Sequence, residues 1–161
     1  MTPTLPGVAH EHHARILASV NQFPAMADAL LENGGVAVQP ELTAARDFLN
    51  GTLLPHMAAA ERSIYPELER MLQNRHSMTP LRREHEEIRG MISRFSSLVG
   101  ELHGTSVALP RALAIRRIAF QLYAMLKIHL AEEEAYLHIV EHGVTEDAGE
   151  ILAAAMEHPI G

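Results

Sequence analysis

Long stretches of strong helix formers, separated by a few glycine and proline signals, constrain this chain more than any other feature. Ala, Leu, Met, Glu and Arg dominate its 161 residues, whereas aromatic residues make up only 4% of them. This composition favours helices packed on helices over a β-sheet. A chain of this length fits one domain and can bury a core without disulfides or a structural metal. We therefore predict a single all-α domain over residues 1–161.

The helix signals divide the chain into four long helices and a short fifth one. Residues 33–35 read Asn-Gly-Gly, a strong stop for the first helix, and Pro40 suits the first turn of the second. Thr79 is expected to cap the third helix. The first, second and fifth helices are predicted over about residues 8–32, 40–74 and 145–157, the third from 79 to an end between 100 and 104, and the fourth from 109–110 to 142–143.

The second helix contains Gly51, Pro55 and Pro66, so we expect it to bend at these residues rather than run straight. Four helices joined by short connections predict an up-down-up-down four-helix bundle over about residues 8–143, with a short C-terminal fifth helix. The core of such a bundle is a place where metal sites are built from side chains on facing helices.

Composition and charge exclude several classes of protein. The chain has no cysteine, so a metal would have to be held by imidazole and carboxylate groups. A formal net charge of −7, with no long basic run, argues against a nucleic-acid partner. The N-terminus lacks a signal-peptide pattern, and no apolar run approaches the ~20 residues of a membrane span. We expect a cytoplasmic protein with no membrane partner.

Eleven histidines are many for a chain of this length. At about 100° per residue, positions three, four and seven apart share a helix face. His129, for example, shares its face with Leu122 and Leu126. Burying an imidazole without a partner is costly, and one metal centre would satisfy several imidazoles at once. Four histidines, one from each long helix, lie on such apolar stripes: His13, His56, His85 and His129.

A carboxylate shares the stripe of the last helix. Glu133 follows His129 by four residues, which places it about 40° round the helix. A buried glutamate is expensive unless it is paired or bound to a cation. Imidazole and carboxylate ligands suit iron, manganese or zinc, and bridging carboxylates favour a dinuclear iron centre. Open positions on such a centre could take O2 or another small ligand.

Four segments, taken in order, resemble hemerythrin-like HHE cation-binding proteins. The resemblance covers about residues 9–157 and implies a four-helix bundle around a di-iron centre. It implies one histidine on each of the first and third helices and a His-x3-Glu pair on each of the other two. Implied roles include O2 binding, iron or oxygen sensing, nitric-oxide chemistry and repair of iron centres. The segments are Glu11-His12-His13, Leu54-Pro55-His56 followed by Glu61 to Pro66, Arg83 to Arg89 around His85, and His129-x3-Glu133-Glu134.

One position departs from the family pattern. Ala60 stands four residues after His56, where the family usually has a bridging glutamate. Glu61 follows at about 140° from His56, and a bend near Pro55 could turn it inward. We include Glu61 among the candidate ligands and expect two iron ions, or one if Glu61 does not reach. Arg89 stands where many hemerythrins have a second histidine on the third helix.

Some assignments stay open at this stage. His13 is preferred to His12 on the first helix, and both Glu133 and Glu134 are available on the last. The other histidines fall near helix ends or on outer faces and are predicted to be solvated. The complete set of predicted metal ligands is His13, His56, Glu61, His85, His129 and Glu133.

Two tyrosines lie near the predicted ligands in the sequence. Tyr136, three residues after Glu133, is either a hydrogen-bond donor near the iron or part of the core. Tyr65 lies nearly opposite His56 by helical angle and is predicted to be a packing residue.

Three functions from different classes fit these residues. We favour an iron protein that binds O2 or a related diatomic ligand, or senses iron or oxygen. The alternatives are a di-iron enzyme that acts on nitric oxide or peroxide or donates iron for repair, and a helical interaction module that has lost its metal. The Ala60 departure is the feature that motivates the last alternative.

Overall fold

The fold is taken from a computed structural model that describes residues 5–32, 35, 37–102 and 106–142. Every regular element within these residues is a helix, which confirms the predicted all-α class. The predicted fifth helix at 145–157 lies outside the described residues. The α-helices are α1 (Leu5–Val20), α2 (Phe23–Ala29), α3 (Gln39–Phe48), α4 (Leu54–Ala59), α5 (Tyr65–Met71), α6 (Thr79–Gly100) and α7 (Leu109–His142).

The prediction of one continuous helix over residues 8–32 is wrong, because the chain breaks between α1 and α2. Pro24 occupies the first turn of α2. A proline inside a continuous helix lacks the N–H that the helix needs, and its ring clashes with the carbonyl four residues earlier. The break begins with a tightened turn, in which the Gln22 N–H donates to the Ser19 carbonyl at 3.2 Å.

The second predicted helix is irregular, as its prolines predict. Two π-helical segments, Leu49–Leu53 and Ala60–Ile64, separate α3, α4 and α5. Pro55 and Pro66 lie in the first turns of α4 and α5, just after these wider turns. The wider turns accommodate the prolines, and π segments of this kind often occur at functional sites.

The last two long helices match the sequence closely. Helix α6 begins at the predicted residue 79 and ends at the start of the predicted range 100–104, and α7 lies within one residue of the bounds predicted for the fourth helix. Thr79, however, is the first helical residue of α6 rather than its cap, and the capping position belongs to Met78. Within the described residues, α7 packs against α6, α2 and α1, and α3 packs against α6.

The buried apolar residues form two clusters. The larger one includes Phe23, Phe95 and Ile88, and the smaller one contains Ala60, Tyr65, Leu68, Met78 and Leu81. Along α6, His85 lies between Leu81 of the smaller cluster and Ile88 of the larger one. The bundle therefore leaves a polar layer between two apolar ones. No helix in the described ranges is long and apolar enough to cross a membrane.

Candidate metal centre

Buried polar side chains of the described residues are confined to one place in the bundle. They are His13, His56, His85, His129 and Glu133, with exposed fractions of 4%, 8%, 0%, 0% and 5%. His13 lies on α1, His56 on α4, His85 on α6, and the other two on α7. All four imidazoles that the helical pattern selected therefore occur in this buried set, together with the predicted carboxylate.

The two oxygens of Glu133 face different histidines. Oε2 lies 3.1 Å from His13 Nε2 and 3.2 Å from His56 Nε2. Oε1 lies 3.5 Å from His129 Nε2 and 3.8 Å from His85 Nε2. We call His13 and His56 the first pair, and His85 and His129 the second pair. Each pair forms, with Glu133, a group whose ligand atoms lie within 4.8 Å of one another.

Carboxylates on the outer side orient three of these imidazoles. Each accepts a hydrogen bond from a histidine Nδ1, which leaves the lone pair of that histidine's Nε2 directed toward the centre. This is the arrangement in which metal-binding histidines are normally held. The outer partners are Glu134 for His13 at 2.6 Å, Glu61 for His85 at 2.7 Å and Glu84 for His129 at 2.8 Å.

The inward-facing nitrogens need a positive charge between them. His85 Nε2 and His129 Nε2 are only 2.9 Å apart, although both Nδ1 atoms already donate outward. Two lone pairs at this distance repel unless a proton or a cation lies between them. His13 Nε2 is buried and makes no hydrogen bond to any described residue, even though Glu133 Oε2 is close. The donor set therefore fits a metal ion.

A family model described as the Hemerythrin HHE cation binding domain matches residues 7–109. The chain belongs to the hemerythrin HHE family. The match includes His13, His56 and His85, whereas His129 and Glu133 lie beyond it, so their place in the centre follows from geometry alone. Neither a curated protein nor a solved structure matches the chain. Family membership and the two His-His-Glu groups together indicate metal binding.

Electrostatics keeps the shared carboxylate of this HHE domain ionised. Burial acts to raise the pKa of Glu133, but the close imidazoles of His129, His13 and His56 outweigh it and hold that pKa far below its ordinary value. Burial likewise opposes protonation of His13 and His129, yet Glu133 and the outer carboxylates raise both histidine pKa values above 6.5. Both histidines therefore bind a proton more readily than an ordinary imidazole does, because anionic oxygens lie beside them.

His85 behaves differently from its neighbour. Burial is the main cause that lowers the pKa of His85, and the facing His129 lowers it further. The lowered pKa favours the neutral form of His85, and this suits a ligand because metal binding requires the deprotonated imidazole.

Glu61, a predicted ligand, lies on the outer side of His85 rather than beside Glu133. Its Oε1 accepts hydrogen bonds from His85 Nδ1 at 2.7 Å and Arg89 Nη2 at 2.8 Å. The position four residues after His56 is the buried one, and Ala60 occupies it. Glu61 therefore falls on the flank of the helix next to α6, where 26% of its side chain is exposed. The ion pair with Arg89 holds it there.

Tyr65 reaches the centre, contrary to the prediction that it only packs. Its hydroxyl donates to Glu133 Oε1 at 2.5 Å and lies 3.1 Å from His85 Nε2. A regular α-helix would place Tyr65 opposite His56, but the π segment Ala60–Ile64 turns less per residue and moves Tyr65 round toward the side of His56. Pro66, directly after Tyr65, is the sequence signal that could have revealed this. Burial, followed by the Glu133 charge, raises the Tyr65 pKa far above its ordinary value.

The remaining neighbours of the site lie around the first pair. His12 is half-buried, and its ring lies 5.0 Å from that of His56. His10, predicted to be solvated, is also half-buried, and its Nδ1 donates to Glu134. Tyr136 packs beside the smaller apolar cluster. A cavity of about 10 Å³, the volume of roughly one water molecule, lies against His13, Glu133 and both tyrosines.

Proposed function

We propose that this protein holds two iron ions in an up-down-up-down helical bundle and binds O2 or a related small ligand there. The first pair of histidines would hold one ion and the second pair the other, with Glu133 shared between them. The observation that carries the proposal is the Glu133 carboxylate, whose two oxygens each face a different pair of imidazole nitrogens at 3.1–3.8 Å. A bridging carboxylate is the typical device of dinuclear iron centres in helical bundles.

Iron is favoured by the chemistry of the donors. Imidazole nitrogen and carboxylate oxygen without thiolate suit iron better than copper(I), and O2 chemistry requires a redox-active metal. The family's cation-binding domain supports the same choice. Bound iron would supply an electron-rich centre with open positions for a diatomic ligand.

The chain's own residues would orient the ligands and exclude bulk water. Glu61, Glu84 and Glu134 hold the imidazoles with their Nε2 atoms inward. Leucine side chains, including Leu68, Leu81 and Leu137, line the small cavity beside the centre. A cavity of about 10 Å³ admits a ligand of only a few atoms, which supports binding or sensing of a diatomic molecule over turnover of a large substrate. A cytoplasmic location, with no nucleic-acid partner, stays a prediction from the sequence.

Metal analysis of protein purified without chelators tests the proposal. We expect two iron ions per chain and a marked loss in His129→Ala, whereas His138→Ala, an exposed histidine of the same helix, should keep both. Anaerobic reduction followed by O2 should then give a reversible change in the visible spectrum. Absence of bound iron, or equal iron in the two variants, would exclude the proposed centre. Steady consumption of nitric oxide or peroxide under reductant would instead indicate an enzyme.

A further inference from the structure

We propose that Tyr65 is an additional metal ligand, which supplies a phenolate oxygen to the ion held by His85 and His129. This inference rests on the proposed iron centre. It assigns Tyr65 to the second pair because its hydroxyl oxygen lies 3.1 Å from His85 Nε2 and 2.5 Å from Glu133 Oε1, the carboxylate oxygen that faces that pair.

The tyrosine ring is held in one orientation. It is fully buried and stacks on the His85 ring at 5.4 Å, with an interplanar angle of 22°. The Arg82 guanidinium lies 5.3 Å from the ring centroid. Rings fixed by such neighbours keep their hydroxyl directed at one point, as a preorganised metal ligand requires.

The protons near the Tyr65 hydroxyl are too few to give every polar atom around it a hydrogen bond. The Tyr65 hydroxyl has one proton, and it is directed to Glu133 Oε1. His85 Nε2 and His129 Nε2 face the same space, and both of these histidines already donate outward through Nδ1. With both imidazoles in the neutral form that binds a metal, several acceptor atoms surround a single phenolic proton. A cation in place of that proton would be attracted by all of them.

The charge of the centre also favours a second anion. Within the two His-His-Glu groups, Glu133 is the one carboxylate, because Glu61 lies on the outer side of His85. Ala60, at the usual carboxylate position, packs in the same apolar cluster as Tyr65, and its methyl group takes little of the space. Burying a multivalent cation is costly unless anionic ligands offset its charge. A phenolate would offset one more unit of the cation's positive charge.

Binding of Tyr65 to iron exchanges one proton for the metal ion. Tyr65 would release its phenol proton to the solvent and hold ferric iron through the phenolate oxygen, and no electron would be transferred. The metal-free protein therefore serves as the blank for any phenolate signature that iron induces.

Ferric iron bound to phenolate absorbs visible light, and excitation in that band enhances tyrosinate vibrations in the Raman spectrum. The chain has three tyrosines, so Tyr123→Phe and Tyr136→Phe are matched controls. We expect the band in the iron-loaded wild type and in both controls, with Raman shifts after ring-deuterated tyrosine labelling. In Tyr65→Phe we expect complete loss of the band while at least one iron ion remains.

The outcomes separate the two proposals. Two results would overturn the assignment of Tyr65 as a ligand but leave the iron centre: bound iron without the band, or a band that is lost in Tyr136→Phe and kept in Tyr65→Phe. Absence of iron from the wild type overturns both. Circular dichroism checks that Tyr65→Phe folds. If Tyr65→Phe does not fold, a label-sensitive band that persists in both control variants still assigns the ligand to Tyr65. A band that is lost in either control variant overturns that assignment.

Discussion

The two halves of the metal centre share Glu133 but differ in how they are enclosed. The second pair, His85 and His129, is fully buried, and its outer partners are mostly shielded. The first pair is slightly exposed, and the outer partner of His13 is Glu134, with 36% of its side chain exposed. A surface pocket of about 340 Å³ is lined by His13 and Glu134. The same ligand types are thus placed in one closed and one open half.

This difference indicates that the two halves of the site have different roles. The second pair has more fixed partners, including the Arg89–Glu61 ion pair and the Tyr65 hydroxyl. The first pair has a buried nitrogen without a hydrogen bond and a neighbouring cavity. We expect the closed half to hold its ion tightly and the open half to exchange its ion and to receive the small ligand.

The largest effect should come from removing the charge that the halves share. Glu133→Gln should reduce bound iron from two ions per chain to nearly none, because an ionised carboxylate faces both pairs at 3.1–3.8 Å. Glu86→Gln, on an exposed face of α6, is the control. Iron content by mass spectrometry measures the change. Retention of one full ion would mean that the halves do not depend on a common carboxylate.

Removing one ligand of the open half should show how much iron each half binds by itself. His13→Ala should leave about one iron ion per chain, held by His85, His129 and Glu133. Extraction of iron by a chelator should be biphasic in the wild type, and His13→Ala should lack the fast phase. His76→Ala, which changes an exposed histidine, should keep both phases. A single phase in the wild type would contradict the division into open and closed halves.

The outer carboxylates should matter more in the closed half. Loss of such a partner typically weakens metal affinity by about 10–100-fold. We expect an effect of this size for Glu61→Ala and Glu84→Ala, whereas Glu134→Ala should have less effect because water can replace an exposed partner. Competition titration with a chelator measures the affinities. An equal loss in all three variants would remove the distinction between the halves.

Regular helices explain why so much of this site could be predicted from the sequence. On α6 and α7 the helical angle holds over the whole length, so His85, His129 and Glu133 are placed on the inner face by their spacing alone. These are also the helices whose predicted bounds agree with the structure. The hydrophobic stripe and the ligand spacing then predict the same inward-facing residues.

Two of the errors, in the first helix and at Tyr65, have one physical cause, which is proline. Pro24 divides the predicted first helix, and Pro55 and Pro66 follow π segments in which the ordinary angle per residue fails. Tyr65 lies directly after such a segment, so its angle from His56 was misjudged. Spacing fixes the side of a residue only while the helix stays regular, and it did not reveal which hydrogen bonds Glu61 would make.

The smallest effect that tests the comparison is a pH dependence. Burial opposes protonation of His13 and His129, but their carboxylate neighbours raise the pKa of each above 6.5 in the metal-free protein, one histidine in each half. A raised folded-state pKa stabilises the fold below 6.5, and this stabilisation is lost as the pH rises through the folded pKa; the lowered pKa of His85 acts in the opposite direction. Metal binding requires neutral imidazole, so iron affinity should fall severalfold between about pH 8 and pH 6. Thermal unfolding should therefore show opposite trends: the metal-free protein loses stability over this range as the pH rises, and the loaded protein gains it. Parallel trends would mean that protons and metal do not compete for these two histidines.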